Sequence, residues 1–220
     1  MFIPVIYYIF SYLVGSIPFS YIIPYLFGRK NIMSLGWNKS SASNVFKHVG
    51  HWQGFLAGFL DIAKGYFVVW LAYQMGGEID AQIYGAALAV LGHNWSIFLH
   101  FDGGRGIGTL VGALLFLAPK MALCFAGIIL FFGLFWDMSI GTIVGIFFLV
   151  FFAEKIDFTN NAGVLASLVF FPIFLKRLSP LKEVFYLKIP IRVFWARLIF
   201  DDNDFHGFRI VRIFRKLTKH

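Results

Sequence analysis

Seven long apolar runs, at roughly residues 3–27, 53–75, 82–99, 107–119, 121–136, 139–153 and 161–175, leave this chain few ways to fold. Hydrophobic residues make up 59% of its 220 positions and charged residues only 14%. Mean hydropathy is +0.76. A soluble domain of this length has too few polar side chains to cover so much apolar surface. The runs predict an all-α, polytopic membrane protein with about seven transmembrane helices. Several runs between residues 107 and 153 fall short of the ~20 residues a perpendicular crossing needs, so they predict tilted, closely packed or partly re-entrant helices. No cationic segment precedes the first run, which therefore reads as a retained helix and not a cleaved signal peptide.

The net charge of +8 does not read as a nucleic-acid footprint, because the basic residues sit in connections and at the C-terminal end. Arg29, Lys30, Lys39 and Lys47 occupy the 28–50 connection, Arg105 the 100–106 turn, and Lys176, Arg177 and a long basic tail follow the last run. By the positive-inside bias these face the cytoplasm, with the N-terminus outside, the C-terminus inside, and the whole in a plasma (inner) membrane. Residues 1–178 form the membrane domain. Residues 179–220 form a basic tail, in which Ile189, Ile191, Phe194, Trp195, Leu198 and Ile199 alternate with Arg192 and Arg197. That pattern predicts an amphipathic helix attracted to anionic lipid, or one that binds a protein partner. Asp201, Asp202 and Asp204 interrupt it as a solvated turn or cap. The single cysteine, Cys124, permits no disulfide framework and no cysteine metal site; no metal or cofactor is expected. Gly54, Gly58, Gly85, Gly112, Gly127 and Gly141 recur in the runs, where small faces let membrane helices approach.

Three polar clusters fall on the cytoplasmic side. Residues 36–47 offer Lys39, Ser43, Asn44 and Lys47 without an acid, as an anion site or a solvated loop would. Asp61 and Lys64 lie three apart within the second run, so they share a helix face and can pair. Ionisable residues inside a membrane face a partner or a cavity. The third cluster, Gly92-His93-Asn94-Trp95-Ser96, leads into the glycine turn His100-Phe101-Asp102-Gly103-Gly104-Arg105-Gly106-Ile107-Gly108-Thr109. The turn's glycines allow close backbone approach, and the apolar run that follows predicts a helix start. Free N–H groups there, beside Arg105, suit phosphate or carboxylate. Such a pocket, rich in cations and poor in carboxylates, does not suit proton-coupled transport.

The ordered set of motifs resembles the bacterial acyl-phosphate:glycerol-3-phosphate acyltransferases. The family's GSIP appears as Gly15-Ser16-Ile17-Pro18, and the end of its GATN loop as Ala42-Ser43-Asn44-Val45. Its LDxxKG appears as Leu60-Asp61-Ile62-Ala63-Lys64-Gly65, and Gly92-His93 and the glycine turn stand where it has GHxxP and FKGGKGxAT. Ser139-Ile140-Gly141-Thr142-Ile143 resembles its SLxSI. The resemblance implies acyl phosphate as donor, glycerol 3-phosphate as acceptor and no cofactor. It implies Lys47, Arg105 and His93 as catalytic residues. The glycine-turn amides (Gly103, Gly104, Gly106) and Arg105 would hold the donor phosphate, and Lys39, Ser43, Asn44 and Lys47 the acceptor, with Thr109, Asp61 and Lys64 completing the substrate site. The departures are specific. Trp37 replaces the serine of GSGN, Lys39 its asparagine, and Lys47 an arginine. Asp102 and Arg105 replace the two lysines of FKGGKG, Ser96 replaces a proline, and the family's C-terminal histidine and asparagine have no counterpart near Lys176-Arg177. Asp102 would repel a phosphate unless paired with Arg105. These departures would equally suit a non-catalytic relative that serves as a membrane binding or scaffold subunit; a lipid or anion transporter is a third reading.

Overall fold

The computed structural model describes residues 5–36, 39–157, 160–178 and 190–200. Trp37, the Asp201–Asp204 segment and most of the tail lie outside them. The described secondary structure is helical apart from a single bridge between Ser96 and Asp102. The helices are α1 (Val5–Ser16), α2 (Phe19–Gly28), α3 (Ala42–His48), α4 (His51–Gln74), α5 (Ile79–Asn94), α6 (Ile107–Leu117), α7 (Pro119–Phe135), α8 (Met138–Asp157), α9 (Asn161–Arg177) and α10 (Ile191–Phe200). Short 3-10 turns at Ile32–Ser34 and Ile97–Leu99 join two of the connections.

The first apolar run divides in two at Ile17–Pro18. Pro18 has no N–H, and its ring biases Ile17 away from helical ψ. The break exposes carbonyls at membrane depth, where each needs a donor. Lys64 Nζ reaches the Ile17 carbonyl at 2.9 Å and the Ser96 hydroxyl donates to the Ser16 carbonyl; separately, the Tyr12 hydroxyl of α1 donates to the Trp95 carbonyl at 2.6 Å. The proline thus creates acceptors that draw α4 and the 95–99 turn against the N-terminal helix pair. The expected run 82–99 ends early as a helix: α5 stops at Asn94, and the chain turns through Ile97–Leu99 into the glycine segment. The runs 107–119 and 121–136 meet at Ala118-Pro119, with Pro119 opening α7.

Glycines set the closest crossings. Gly65 of α4 lies against the Thr109 carbonyl of α6, and Gly112 of α6 lies against the Ile62 carbonyl of α4. A methyl group at either would overlap backbone. Lipid chains offer no hydrophobic drive for helix pairing, so this backbone proximity, and the dispersion it allows, holds the pair. The main core gathers Val90, Leu110, Leu114, Met121, Phe125, Ile146, Leu165 and Val169 from α5 to α9. The outer face is apolar as well, with Phe55, Leu123, Phe131, Phe151 and Phe171 all exposed. A bundle that is hydrophobic both inside and outside is built for lipid. Val5–Gly28, His51–Gln74 and Met138–Ile156 have the length and composition to cross it, and at 11 residues α6 is too short.

α10 docks on the ends of α8 and α9 through Ala196 and Phe200, which are buried, while Ile191, Arg192 and Trp195 face outward. Arg177 holds it there. One guanidinium nitrogen donates to the Leu198 and Ile199 carbonyls at 3.0 and 3.2 Å, and the other to the Ser139 carbonyl at 2.8 Å. The Ser139 hydroxyl donates to the Phe200 carbonyl at 3.0 Å. A cation at a helix C-terminus satisfies carbonyls that have no intrahelical partner.

Candidate active site

One carboxylate joins three helices. Asp61 of α4 lies 2.9 Å from Lys64 Nζ on the same helix, as the i,i+3 spacing predicts. Its other oxygen accepts the Ser20 hydroxyl of α2 at 2.9 Å. His93 Nδ1 of α5 sits 3.4 Å from the first oxygen. Asp61 and Lys64 are both buried. A lone charge at such a site would cost several kcal/mol, so each ion is tolerable only because the other is present. Asp61 also fixes the His93 ring, turning Nε2 toward the glycine segment.

That segment is braced from both sides. His100 and Phe101 adopt left-handed backbone, with φ of 54° and 65°. The Phe101 N–H donates to the Ser96 carbonyl at 2.8 Å, and the Ser96 N–H to the Asp102 carbonyl at 3.0 Å, which closes the turn. Gly106, at φ 74°, precedes α6; the expected helix start is there. A side chain on Gly104 would strike His93 Nε2 and the Ser40 carbonyl, so the turn is seated between the end of α5 and the 32–41 loop. Ser20, Ser40, Ser96, Lys64, His93 and the paired glycines line a small polar cleft there.

The structure redistributes the expected ligands. The Gly104 amide is not available to a phosphate: it donates to the His93 carbonyl at 3.1 Å. Asn44 is buried, and its amide nitrogen bonds the Leu35 and Lys39 carbonyls at 3.0 Å each, so it shapes the 32–41 loop. Ser43 and Lys47 are exposed on α3, outside the cleft lining. Thr109 is buried behind the turn at the α4–α6 crossing. Arg105 is half-buried and within electrostatic reach of Arg177. Asp102 has Lys176 as its charged neighbour. Lys176 comes just after the apolar run ending at residue 175 and is 2% exposed. Burial pushes its ammonium down to about 8; Asp102 opposes that and Lys39 adds to it. Sequence reasoning did not single out Ser20, Ser40 or Lys176. A serine inside the first apolar run, a serine in the polar 28–50 connection and a lysine at the end of the last run were the available signals.

A family model described as glycerol-3-phosphate acyltransferase matches residues 5–185. The chain belongs to the glycerol-3-phosphate acyltransferase family. Among its relatives, glycerol-3-phosphate acyltransferase of Endomicrobium trichonymphae is 33% identical over 169 residues, covering 72% of this chain and 84% of that one. The Staphylococcus saprophyticus protein of the same name is 40% identical over 139 residues, 59% of this chain and 67% of that one. Glycerol-3-phosphate acyltransferase 4 of Dehalococcoides mccartyi is 38% identical over 136 residues, 62% of this chain and 59% of that one. The chain thus spans about three fifths of the length of this last relative. A crystal structure of PlsY, an integral membrane glycerol 3-phosphate acyltransferase, in its glycerol 3-phosphate form superposes with a TM-score of 0.71. It shares 27% sequence identity, over 82% of this chain and 90% of that one. Its lysophosphatidic acid form superposes with a TM-score of 0.69. Family membership and the lipid-exposed bundle agree that the protein is an integral membrane protein.

Proposed function

We propose that this chain is a membrane acyltransferase that moves an acyl group from acyl phosphate to a hydroxyl of glycerol 3-phosphate, yielding lysophosphatidic acid for phospholipid synthesis. The observation that carries this reading is the glycine turn seated on the Asp61–Lys64–His93 cluster, with Arg105 on the turn and Lys39 on the facing loop. The acceptor hydroxyl oxygen attacks the acyl carbonyl carbon, the bond from that carbon to the phosphate oxygen breaks, and phosphate leaves. The departing phosphate takes the hydroxyl proton. The donor is already activated, so the protein's work is to position two anions and neutralise them. Arg105 meets the donor phosphate. His93, oriented by Asp61, sets the glycine turn and the cleft wall, and Lys39 with Lys47 draws in the acceptor. The site opens to the cytoplasm, where Lys and Arg concentrate, and the basic tail meets anionic lipid there.

Purified protein given palmitoyl phosphate and glycerol 3-phosphate should release lysophosphatidic acid. No product above a heat-killed control, where an ordinary family member works, sinks the reading. Arg105→Ala should cut turnover by at least about 100-fold, the scale of losing one charge-stabilising donor; an unchanged rate refutes its role. A reporter fused after His220 should be active on the cytoplasmic side only, and activity confined to the outside would invert the topology.

A further inference from the structure

α10 lies beyond residues 5–185, the span that the family model matches, yet it is clasped to the bundle by polar contacts. Arg177, 2% exposed, donates to the Leu198, Ile199 and Ser139 carbonyls, and the Ser139 hydroxyl donates to the Phe200 carbonyl. Ala196 and Phe200 are buried beneath the helix. The opposite face is open: Ile191 is 69% and Trp195 48% exposed, and Arg192 is exposed beside them. Positions 191, 192 and 195 share one side of a helix. An aliphatic side chain, a tryptophan and an arginine on one side suit a helix lying in a membrane surface, with the ring at headgroup level and the guanidinium among phosphates.

The neighbours of α10 favour lipid as the cover for that face. Met138, next to Ser139 on α8, and Phe171, earlier on α9, are both exposed apolar residues, so α10 sits at the rim of the bundle's own lipid-facing surface. In the segment that follows, Arg209, Arg212, Arg215, Lys216 and Lys219 outnumber Asp201, Asp202 and Asp204, which makes a negatively charged surface the complementary one. The same end of α9 also reaches the cleft. Arg177 turns to α10, while Lys176 lies over the Trp95 ring, 5.7 Å from Nζ to centroid, and Trp95 follows the helix end that carries His93.

We infer that α10 is a docking surface for anionic phospholipid: its Ile191–Arg192–Trp195 face rests in the headgroup layer, and Arg177 passes that contact to the end of α9, so that acyl transfer runs faster on an anionic membrane. The regulatory half rests on the acyl-transfer reading; the lipid contact does not. Lipid that binds only the docked helix shifts the population toward the docked arrangement, and a fixed end of α9 keeps the cleft wall in place.

The test uses full-length protein in nanodiscs of phosphatidylcholine, alone or mixed with phosphatidylglycerol. A protein carrying Cys124→Ser and Trp195→Cys has one thiol for an environment-sensitive dye, because Cys124 is the single cysteine. The dye should shift to the blue in the anionic discs. Arg192→Gln should weaken that preference about 5-fold, the worth of one cation near an anionic surface, and high salt should weaken it further. Turnover should be about 5-fold or more higher in the anionic discs, the low end of an ordinary coupling, and Arg192→Gln should shrink that ratio. Arg177→Met and Ser139→Ala loosen the clasp, so each should flatten the ratio while the dye still shifts. The ratio compares each variant with itself, and Ser139→Ala removes a single hydrogen bond, so a poor yield of Arg177→Met leaves the test intact. A dye equally solvated or equally shifted in both lipids overturns the inference, and so does a shift that appears only when a soluble protein is added. A wild-type ratio in Arg192→Gln, or equal turnover in both lipids beside a clear dye shift, overturns the coupling. A dye shift without product in either lipid sinks the acyl-transfer reading and keeps the lipid surface. Equal turnover in both lipids with no dye shift does the reverse.

Discussion

Replacing Asp61 by leucine should destabilise the protein by about 3–5 kcal/mol, the usual cost of removing one partner from a buried ion pair. Among the described residues the Lys64 ammonium would keep only the Ile17 carbonyl, 2.9 Å away, as a polar partner. Ser20 would lose its acceptor, and His93 the group that orients its ring. Thermal unfolding in nanodiscs should show a large fall in melting temperature and a low folded yield. The companion variant separates stability from function. Asp61→Leu combined with Lys64→Met removes both charges while keeping bulk, and should recover most of the lost stability. Its turnover should stay low, because His93 still lacks its partner and the glycine turn its brace. A single variant as stable as wild type would mean that the cluster is not an interdependent buried pair. A double variant with full activity would mean that the cluster serves only folding.

Gly104→Ala should leave the bundle folded and lower turnover by about 100-fold, the scale of an ångström-sized misplacement of a reacting group. The new methyl has nowhere to go: it meets His93 Nε2 on one side and the Ser40 carbonyl on the other. Either the turn lifts off α5 or the 32–41 loop moves away, and each shifts Arg105 and Lys39 relative to one another. Overpacking of this kind costs about 1–3 kcal/mol of stability, so melting temperature should fall modestly while the rate collapses. Gly127→Ala is the matched control. The same methyl there has nothing within 4 Å and should change neither quantity. A Gly104→Ala enzyme with wild-type kinetics would show that the seating of the turn on His93 is irrelevant to the reaction.

Both predictions start from features that were partly readable. The Asp61–Lys64 pairing followed from a spacing of three on a helix, a local property. The glycine turn was legible as a helix start because four glycines and an apolar run are adjacent in sequence. Proline at position 18 signalled a break in the first run. What remained hidden was what each of these meets. Nothing local marks Ser20 as a donor to Asp61, which lies 41 positions further on. The Gly104 amide looked free because glycine-rich helix starts commonly bind anions; its acceptor is the carbonyl of His93, a residue on the preceding helix. Asn44 suits an anion as an amide in a polar loop, and nothing local shows that its nitrogen also holds the Leu35 and Lys39 carbonyls.

The sequence by itself determined the solvent of this protein, its helical class, and the identity of its motifs, because apolar content and residue spacing act within a single turn or run. Order and spacing of the motifs were enough to indicate the family. Only the tertiary structure decided which donors stay available and which charges become neighbours. Lys176 comes within electrostatic reach of Asp102 and Lys39, although α9 follows the glycine turn by three intervening helices. The glycine contacts between α4 and α6 and the docking of α9 against α5 bring them together. Proximity created by helix packing has no period and no local composition, so no reading along the chain could supply it.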